Sequence, residues 1–289
     1  MHRDWGHAAL LLLPAMVLLF AFTHMPAIQT VIDSFWSTPR GRRPSVFVGD
    51  ANYRRMLADP IFLKAMSNNA VYAALTIPAS IALALAMAIF VQGRIAGRAF
   101  LRMSYFTPTV LPLIAVANIW VFFFLPGFGL FEQIREALGL SPQNWIGQPA
   151  TALYAVTVVS VWSQAGFFMI FYLAALQNIP DSLREAAALE GTSRWTFFRR
   201  VTWPLLMPTT LFLSVNATIN AFRTVDHIFV MTQGGPNNAS MLLLYYIYEI
   251  GFRFWDTAYA ATLTVVMVAI LAIVGLGQFF LMDRRIHYK

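Results

Sequence analysis

Asn118, Ser163, Gln164, Asn216, Thr218 and Asn220 are uncharged hydrogen-bonding side chains set inside long apolar runs. A polar group in hydrocarbon is costly unless a partner satisfies it, so these residues should face the interior of a helix bundle. Asn216 and Asn220 are four apart and share one helix face. Two chemistries fit the group. One is a lining that exchanges hydrogen bonds with a hydroxyl-rich solute; the other is hydrogen bonding that holds helices together. Arg223 and Asp226, three apart, can pair across a helical turn at the end of their run. A phosphorylated solute would require a cation, and Arg223 is the one placed to supply it. The candidate pathway residues are therefore Asn118, Gln164, Asn216, Asn220 and Arg223.

Covalent chemistry finds no footing. The chain has no Cys, which excludes a thiol nucleophile, a Cys-ligated metal and a disulfide framework. The phosphate loop G-x-x-x-x-G-K-[ST], H-E-x-x-H and G-x-S-x-G are absent. His2, His7, His24, His227 and His287 are scattered and form no ligand cluster. No carboxylate or histidine relay lies within the runs, so an ion-coupled secondary carrier, the main rival to an ATP-driven system, lacks its usual machinery. A membrane-embedded enzyme lacks a catalytic cluster.

The elements that must position the polar residues are membrane helices. The chain is 58% hydrophobic and 11% charged, against about 25% charged in soluble domains. Six windows of about 20 apolar residues qualify as spans: 8–30, 68–91, 103–124, 151–178, 204–226 and 258–282. The first is read as an uncleaved span, because no small-residue cleavage site follows it. Pro78, Pro108, Pro112 and Pro208 predict bends, either ordinary bundle irregularity or the wall of a water-lined pathway. The fold class is all-α with six transmembrane helices. Residues 1–67 form the first span and an external loop, and residues 68–289 form the core.

The net charge of +7 follows topology rather than nucleic acid. One set of segments, 1–7, 92–102, 179–203 and 283–289, carries eleven cations: Arg3, Arg94, Arg98, Arg102, Arg184, Arg194, Arg199, Arg200, Arg284, Arg285 and Lys289. The opposite set, 31–67, 125–150 and 227–257, is nearly twice as long and carries eight. The denser set belongs in the cytoplasm, with both termini. The first external loop is itself basic (Arg40, Arg42, Arg43, Arg54, Arg55, Lys64) and reads as a small folded piece built on Trp36, Pro39, Pro44, Phe47 and Tyr53.

Residues 179–208 form a charged connection between spans, with seven Asp, Glu and Arg residues. Pro180 ends the fourth helix. Ser182 and Glu185 have the spacing of a capping box, Ala186 to Leu189 are strong helix formers, and Gly191 supplies a C-cap. A second helical piece is expected at 193–200, stopped before Trp203-Pro204. So short a helix does not stand alone in water. It is either an amphipathic elbow on the membrane surface or a docking element for a soluble partner.

The segment Glu185-Ala186-Ala187-Ala188-Leu189-Glu190-Gly191, followed by Phe198, Val201 and Pro204, resembles the EAA loop of binding-protein-dependent ABC importer permeases. Thr192, Val201 and Trp203 are mild departures from that pattern. Leu176 to Pro180, Pro204 to Pro208, Met231 to Pro236, Tyr248, Phe252 and Tyr259 to Ala261 resemble the carbohydrate-uptake branch, related to maltose and glycerol-3-phosphate permeases. The likeness covers roughly residues 65–285 and the six-span layout. It implies a type I ABC importer permease fold in a bacterial inner membrane. It also implies pairing with a second, homologous permease, two ATPase subunits holding ATP and Mg, and an external solute-binding protein. The chain itself would hold no cofactor or metal. By the same resemblance Glu185, Ala186, Ala187, Gly191, Arg194, Phe198 and Pro204 couple to the ATPase. Gly234, Gly235, Pro236 and the first external loop would meet the binding protein. Neutral amide linings point to a sugar or polyol; a glycerol-3-phosphate-type solute is the alternative.

Overall fold

The computed structural model describes residues 2–93 and 96–283; of the cations used for orientation, Arg94, Arg284, Arg285 and Lys289 lie outside them. Helices account for the architecture: α1 (Leu10–Asp33), α2 (Ala51–Ala58), α3 (Pro60–Gln92), α4 (Arg98–Val110), α5 (Leu113–Phe123), α6 (Leu130–Ala137), α7 (Ala152–Gln177), α8 (Asp181–Leu189), α9 (Arg194–Phe197), α10 (Trp203–Arg223), α11 (Asp226–Met231), α12 (Leu243–Tyr248) and α13 (Thr257–Asp283). The six expected spans are all recovered, five as long apolar helices and the third as a bent pair. Helix α3 starts at Pro60 rather than 68. Asp59 accepts the Ile61 N–H at 2.9 Å, an N-cap with proline in the first turn, and the polar Lys64 and Ser67 that follow hid this turn from a hydropathy window.

The third span breaks at Leu111-Pro112, and α4 and α5 meet at 104°. Leu111 is extended (φ −76°, ψ 141°), as the proline ring demands of the residue before it. Elsewhere the prolines are absorbed: α3 runs on through Pro78 and α10 through Pro208. The expected stop before Trp203-Pro204 does not occur. A π-helical turn at Phe198–Thr202 joins α9 to α10, with the Trp203 N–H on the Phe198 carbonyl. The wider turn moves carbonyls away from the Pro204 ring, so the helix continues where an α-turn would clash.

The chain divides into two units, residues 1–62 with 246–269, and residues 63–245 with 270–289. In the second unit the core is a seam of α3 (Ala84, Ala88, Val91), α7 (Phe168, Met169, Tyr172, Leu173, Leu176) and α10 (Leu206, Leu213, Ala217). Small residues on α3 let the aromatics of α7 approach, and dispersion over this surface replaces the hydrophobic effect, which is weak between helices in lipid. Helix α4 crosses α7 at Gly166, where a Cβ would lie 2.0 Å from the Tyr105 carbonyl oxygen. Only glycine fits there.

In the first unit, residues 34–48 form a hairpin-like loop with isolated bridges Trp36–Phe47 and Arg40–Arg43. Asn52 ties it to α2 by donating to the Ser34 and Trp36 carbonyls at 3.0 and 2.8 Å. Asp59 accepts from the Tyr246 and Tyr259 hydroxyls. Burial acts to raise the Asp59 pKa, but these donors and the Ile61 and Phe62 amides hold it below the ordinary carboxylate value. Asp256 is held low in the same sense: burial opposes ionisation, but the Thr38 hydroxyl and Arg55 outweigh it. The loop is thus a folded piece, as its sequence suggested.

Candidate functional site

Two places gather the residues singled out by the sequence. The first is the elbow after α7. Pro180 takes the N-cap position and α8 begins at Asp181, one residue before the expected capping box. Ser182 therefore sits inside the first turn, where its backbone is helical and cannot cap, and no side-chain cap forms. Asp181 and Arg184 make only a loose exposed pair at 3.8 Å, worth little in water. The C-terminus is as expected. Gly191 is left-handed at φ +66°, Thr192 N–H donates to the Ala187 carbonyl at 2.9 Å, and Gly191 N–H donates to Ala188 at 3.1 Å, a Schellman closure. Ser193 then caps α9 by accepting from Thr196 N–H at 3.2 Å.

Nothing in α8 is buried. Glu185, Ala186, Gly191 and Arg194 are exposed and Ala187 is half-buried; Leu189 is 91% exposed. Phe198 stacks on Trp195 with centroids 5.7 Å apart and tilts toward Trp203 at 6.4 Å, while Pro204 is exposed at the start of α10. An isolated nine-residue helix is marginal in water. Its backbone ends are fixed locally, and its side chains are left for something else to cover.

The second place is a cavity of about 380 Å³ opened by the α4–α5 break. Pro108, Thr109 and Leu113 line it from the break, Ser163, Gln164 and Phe167 from α7, and Asn220, Arg223, Thr224, Asp226 and His227 from the α10–α11 joint. Of the candidate pathway residues, Gln164, Asn220 and Arg223 come together here. Asn216 is not in the lining; its Oδ1 accepts from Asn220 Nδ2 at 3.1 Å, which orients the Asn220 amide. Asn118, expected to face inward, is exposed and donates to the Ile114 carbonyl of its own helix at 2.8 Å. The 104° break turns α5 so that this face points outward. Arg223 and Asp226 both line the cavity without pairing with each other.

Four of the buried polar atoms that lack a partner belong to this lining: Thr109 Oγ1, Gln164 Oε1 and both ring nitrogens of His227. His227 is 4% exposed. A buried polar atom left unpaired costs about 1–3 kcal/mol, so this clustering makes the cavity a candidate site for a polar ligand. The lining offers hydroxyl, amide, imidazole, guanidinium and carboxylate groups, with one positive and one negative charge. That set can grip several hydroxyls at once. Thr109 and His227 escaped the sequence reading because only the break and the helix joint bring them to Gln164.

The Gly234-Gly235-Pro236 turn is partly covered, with Gly235 and Pro236 half-buried. Gly234 is buried, Ser240 Oγ donates to the Gly235 carbonyl at 2.6 Å, and Asn68 of α3 donates to the Asn238 and Met241 carbonyls at 2.8 and 2.9 Å. Gln233 and Asn237 are the exposed residues beside it. Asn69, fully buried, accepts from Leu243 N–H at 2.9 Å. The two α3 asparagines, unremarked in the sequence, pin this loop. Among the described residues no group of three or more His, Asp or Glu could hold a metal ion.

Residues 60–288 match the family model of the binding-protein-dependent transport system inner membrane component. The trehalose/maltose transport system permease protein of Thermococcus litoralis is 32% identical, with 86% of each chain covered. The sn-glycerol-3-phosphate transport system permease protein of Brucella abortus is 32% identical, covering 96% of this chain and 95% of its own. Among solved structures, a bacterial alginate ABC transporter in complex with an alginate pentasaccharide-bound periplasmic protein matches with TM-score 0.86 at 21% identity, over 98% of this chain and 96% of that one.

Proposed function

Because the chain belongs to the family of binding-protein-dependent transport system inner membrane components, we propose that it forms half of the pathway by which an ATP-driven importer moves a sugar, oligosaccharide or polyol. The observation that carries this is the elbow: a helix with fixed ends, no buried side chain and Leu189 bare. It is a shape prepared for a cleft on another chain. One of two ATPase subunits covers it, and ATP and Mg stay on that partner. Closure of the ATPase pair moves α8 as a rigid lever, and the permease shifts between inward- and outward-open states. A second permease completes the pathway. Helix α1, none of whose apolar window is buried, offers a face to that subunit and to lipid. Both termini and residues 179–208 lie in the cytoplasm; residues 68–289 are the core permease domain.

The cavity at Gln164, Asn220 and His227 is the solute's station, and its balanced Arg223 and Asp226 favour a neutral polyhydroxylated solute. A phosphorylated polyol is the second reading, favoured by Arg223 in the lining and by the glycerol-3-phosphate relative. The test is uptake into proteoliposomes containing this chain, its partner permease and the ATPases, with the binding protein outside. Uptake that requires internal ATP supports the reading. Exchange by this chain alone down an ion gradient would sink it. A thermal-shift screen of the binding protein against neutral sugars, polyols and glycerol-3-phosphate separates the two solute classes.

A further inference from the structure

We propose that the groove between α3 and the π-helical turn binds an anionic phospholipid, its phosphate on Arg199 and Arg200 and one acyl chain along Ile77, Ile81 and Leu85. Two concavities adjoin in the second unit. The larger, about 710 Å³, lies between α3 and the start of α10, and Arg199 is its sole charged lining residue. The smaller, about 410 Å³, is lined by Trp195, Thr196, Arg199 and Arg200. Trp195 and Arg199 belong to both, so an apolar slot lies directly against a cationic one.

The slot is built by spacing. Ile77, Ile81 and Leu85 are four apart and share a face of α3. Each packs against the core seam and is only half-buried by it. Phe198 and Trp203 form the facing wall. Ile77 lies near the midpoint of the 33-residue α3, where a spanning helix is surrounded by hydrocarbon, and Leu85 lies about two turns nearer the Gln92 end. A soluble partner has no access at the Ile77 end, whereas an acyl chain is at home there.

The cationic end has no partner of its own. Arg199 and Arg200 are exposed, and neither lining contains a carboxylate. Among the described residues neither guanidinium forms an ion pair. Guanidiniums grip phosphate oxygens through paired donors, and basic pockets between membrane helices hold anionic headgroups. Trp195, 69% exposed and stacked on Phe198, stands where the two chemistries meet, as indoles do at a membrane interface. A second permease would cover the slot and leave the cations unmatched. A phosphorylated headgroup on an acyl tail matches both, in whichever leaflet the site lies.

The test uses the chain with its co-assembling subunits in phosphatidylcholine nanodiscs containing a trace of phosphatidylglycerol with a photoreactive group on one acyl chain. Irradiation is expected to label residues 77–85 and 195–203, and excess unlabelled phosphatidylglycerol should suppress the labelling. Arg199→Gln/Arg200→Gln should lower it about tenfold or more. Ala82→Trp, which fills the slot and leaves both cations in place, should lower it several-fold. Equal labelling by a photoreactive phosphatidylcholine would overturn the proposal, since the groove would then hold ordinary boundary lipid. Displacement by inorganic phosphate would also overturn it, by making the arginines a site for a free anion. So would labelling of this chain alone that vanishes in the assembly, which would give the groove to a partner subunit.

Discussion

In the elbow, residues 180–193 are neighbours in the chain, and every device that shapes them acts within a turn or two: Pro180 at the start, Gly191 at the end, Ser193 on the next helix. In the cavity, Thr109, Gln164, Asn220 and His227 come from separate elements, and the α4–α5 break and the α10–α11 joint bring them together. The elbow leaves apolar surface bare, whereas the cavity leaves buried polar atoms unpaired. Each is incomplete in the way its proposed ligand would repair. A soluble protein covers apolar surface; a hydroxylated solute pairs polar atoms.

Breaking the elbow should have the largest effect. Glu185→Lys or Gly191→Val is expected to cut ATP-driven uptake about 10- to 100-fold, with the chain still inserted and the solute site intact. Uptake and ATPase co-purification measured together check this, and no change in either would remove the elbow from the mechanism. Next in size, Gly166→Leu forces a side chain into the Tyr105 carbonyl and should destabilise the α4–α7 crossing by about 3 kcal/mol, read as a lower thermal midpoint in detergent. On the cavity side, Gln164→Leu or His227→Leu should weaken transport affinity about tenfold per lost hydrogen-bonding group, seen as a raised KM with ATPase coupling retained. Equal loss of coupling would blur the distinction between the two regions.

A finer comparison separates two serines of the elbow. Ser193→Ala removes a formed cap and should cost about 1 kcal/mol of local stability. Ser182→Ala, at a capping box that does not form, should cost almost nothing. Hydrogen exchange across 181–200 would show the difference.

The smallest effect is one of pH. Asp59 and Asp256 have pKa values below the ordinary carboxylate value in the folded protein. Their ionised forms thus stabilise the fold above the unfolded carboxylate pKa near 4. That contribution falls as pH drops through this range toward the lower folded values. Asp59→Asn should flatten the loss of thermal stability between about pH 5 and 3.

The elbow was legible because its signals are local: the EAA run, Gly191 and the flanking prolines sit within one stretch. Two local readings failed: Ser182 as cap, because Pro180 claims that role two residues early, and the stop before Trp203-Pro204, because a π-helical turn carries the helix through it. The spans were legible from hydropathy. Their boundaries were not, where polar residues such as Lys64 occupy a capped first turn. Third-span prolines announced a break, but not the 104° that sends Asn118 outward and admits Thr109 to the cavity. His227 looked like a stray histidine at a segment end, and Asn68 and Asn69 carried no pattern at all. Their partners, at Asn238, Met241 and Leu243, are far along the chain, where periodicity has no reach.

The central claim is that the bare face of α8 is covered by an ATPase. The chain has no native cysteine, so Leu189→Cys provides a single thiol on that face. Maleimide labelling of this variant should be fast in the permease pair alone and strongly slowed once the ATPase subunits bind. Equal labelling rates with and without the ATPases would contradict the account.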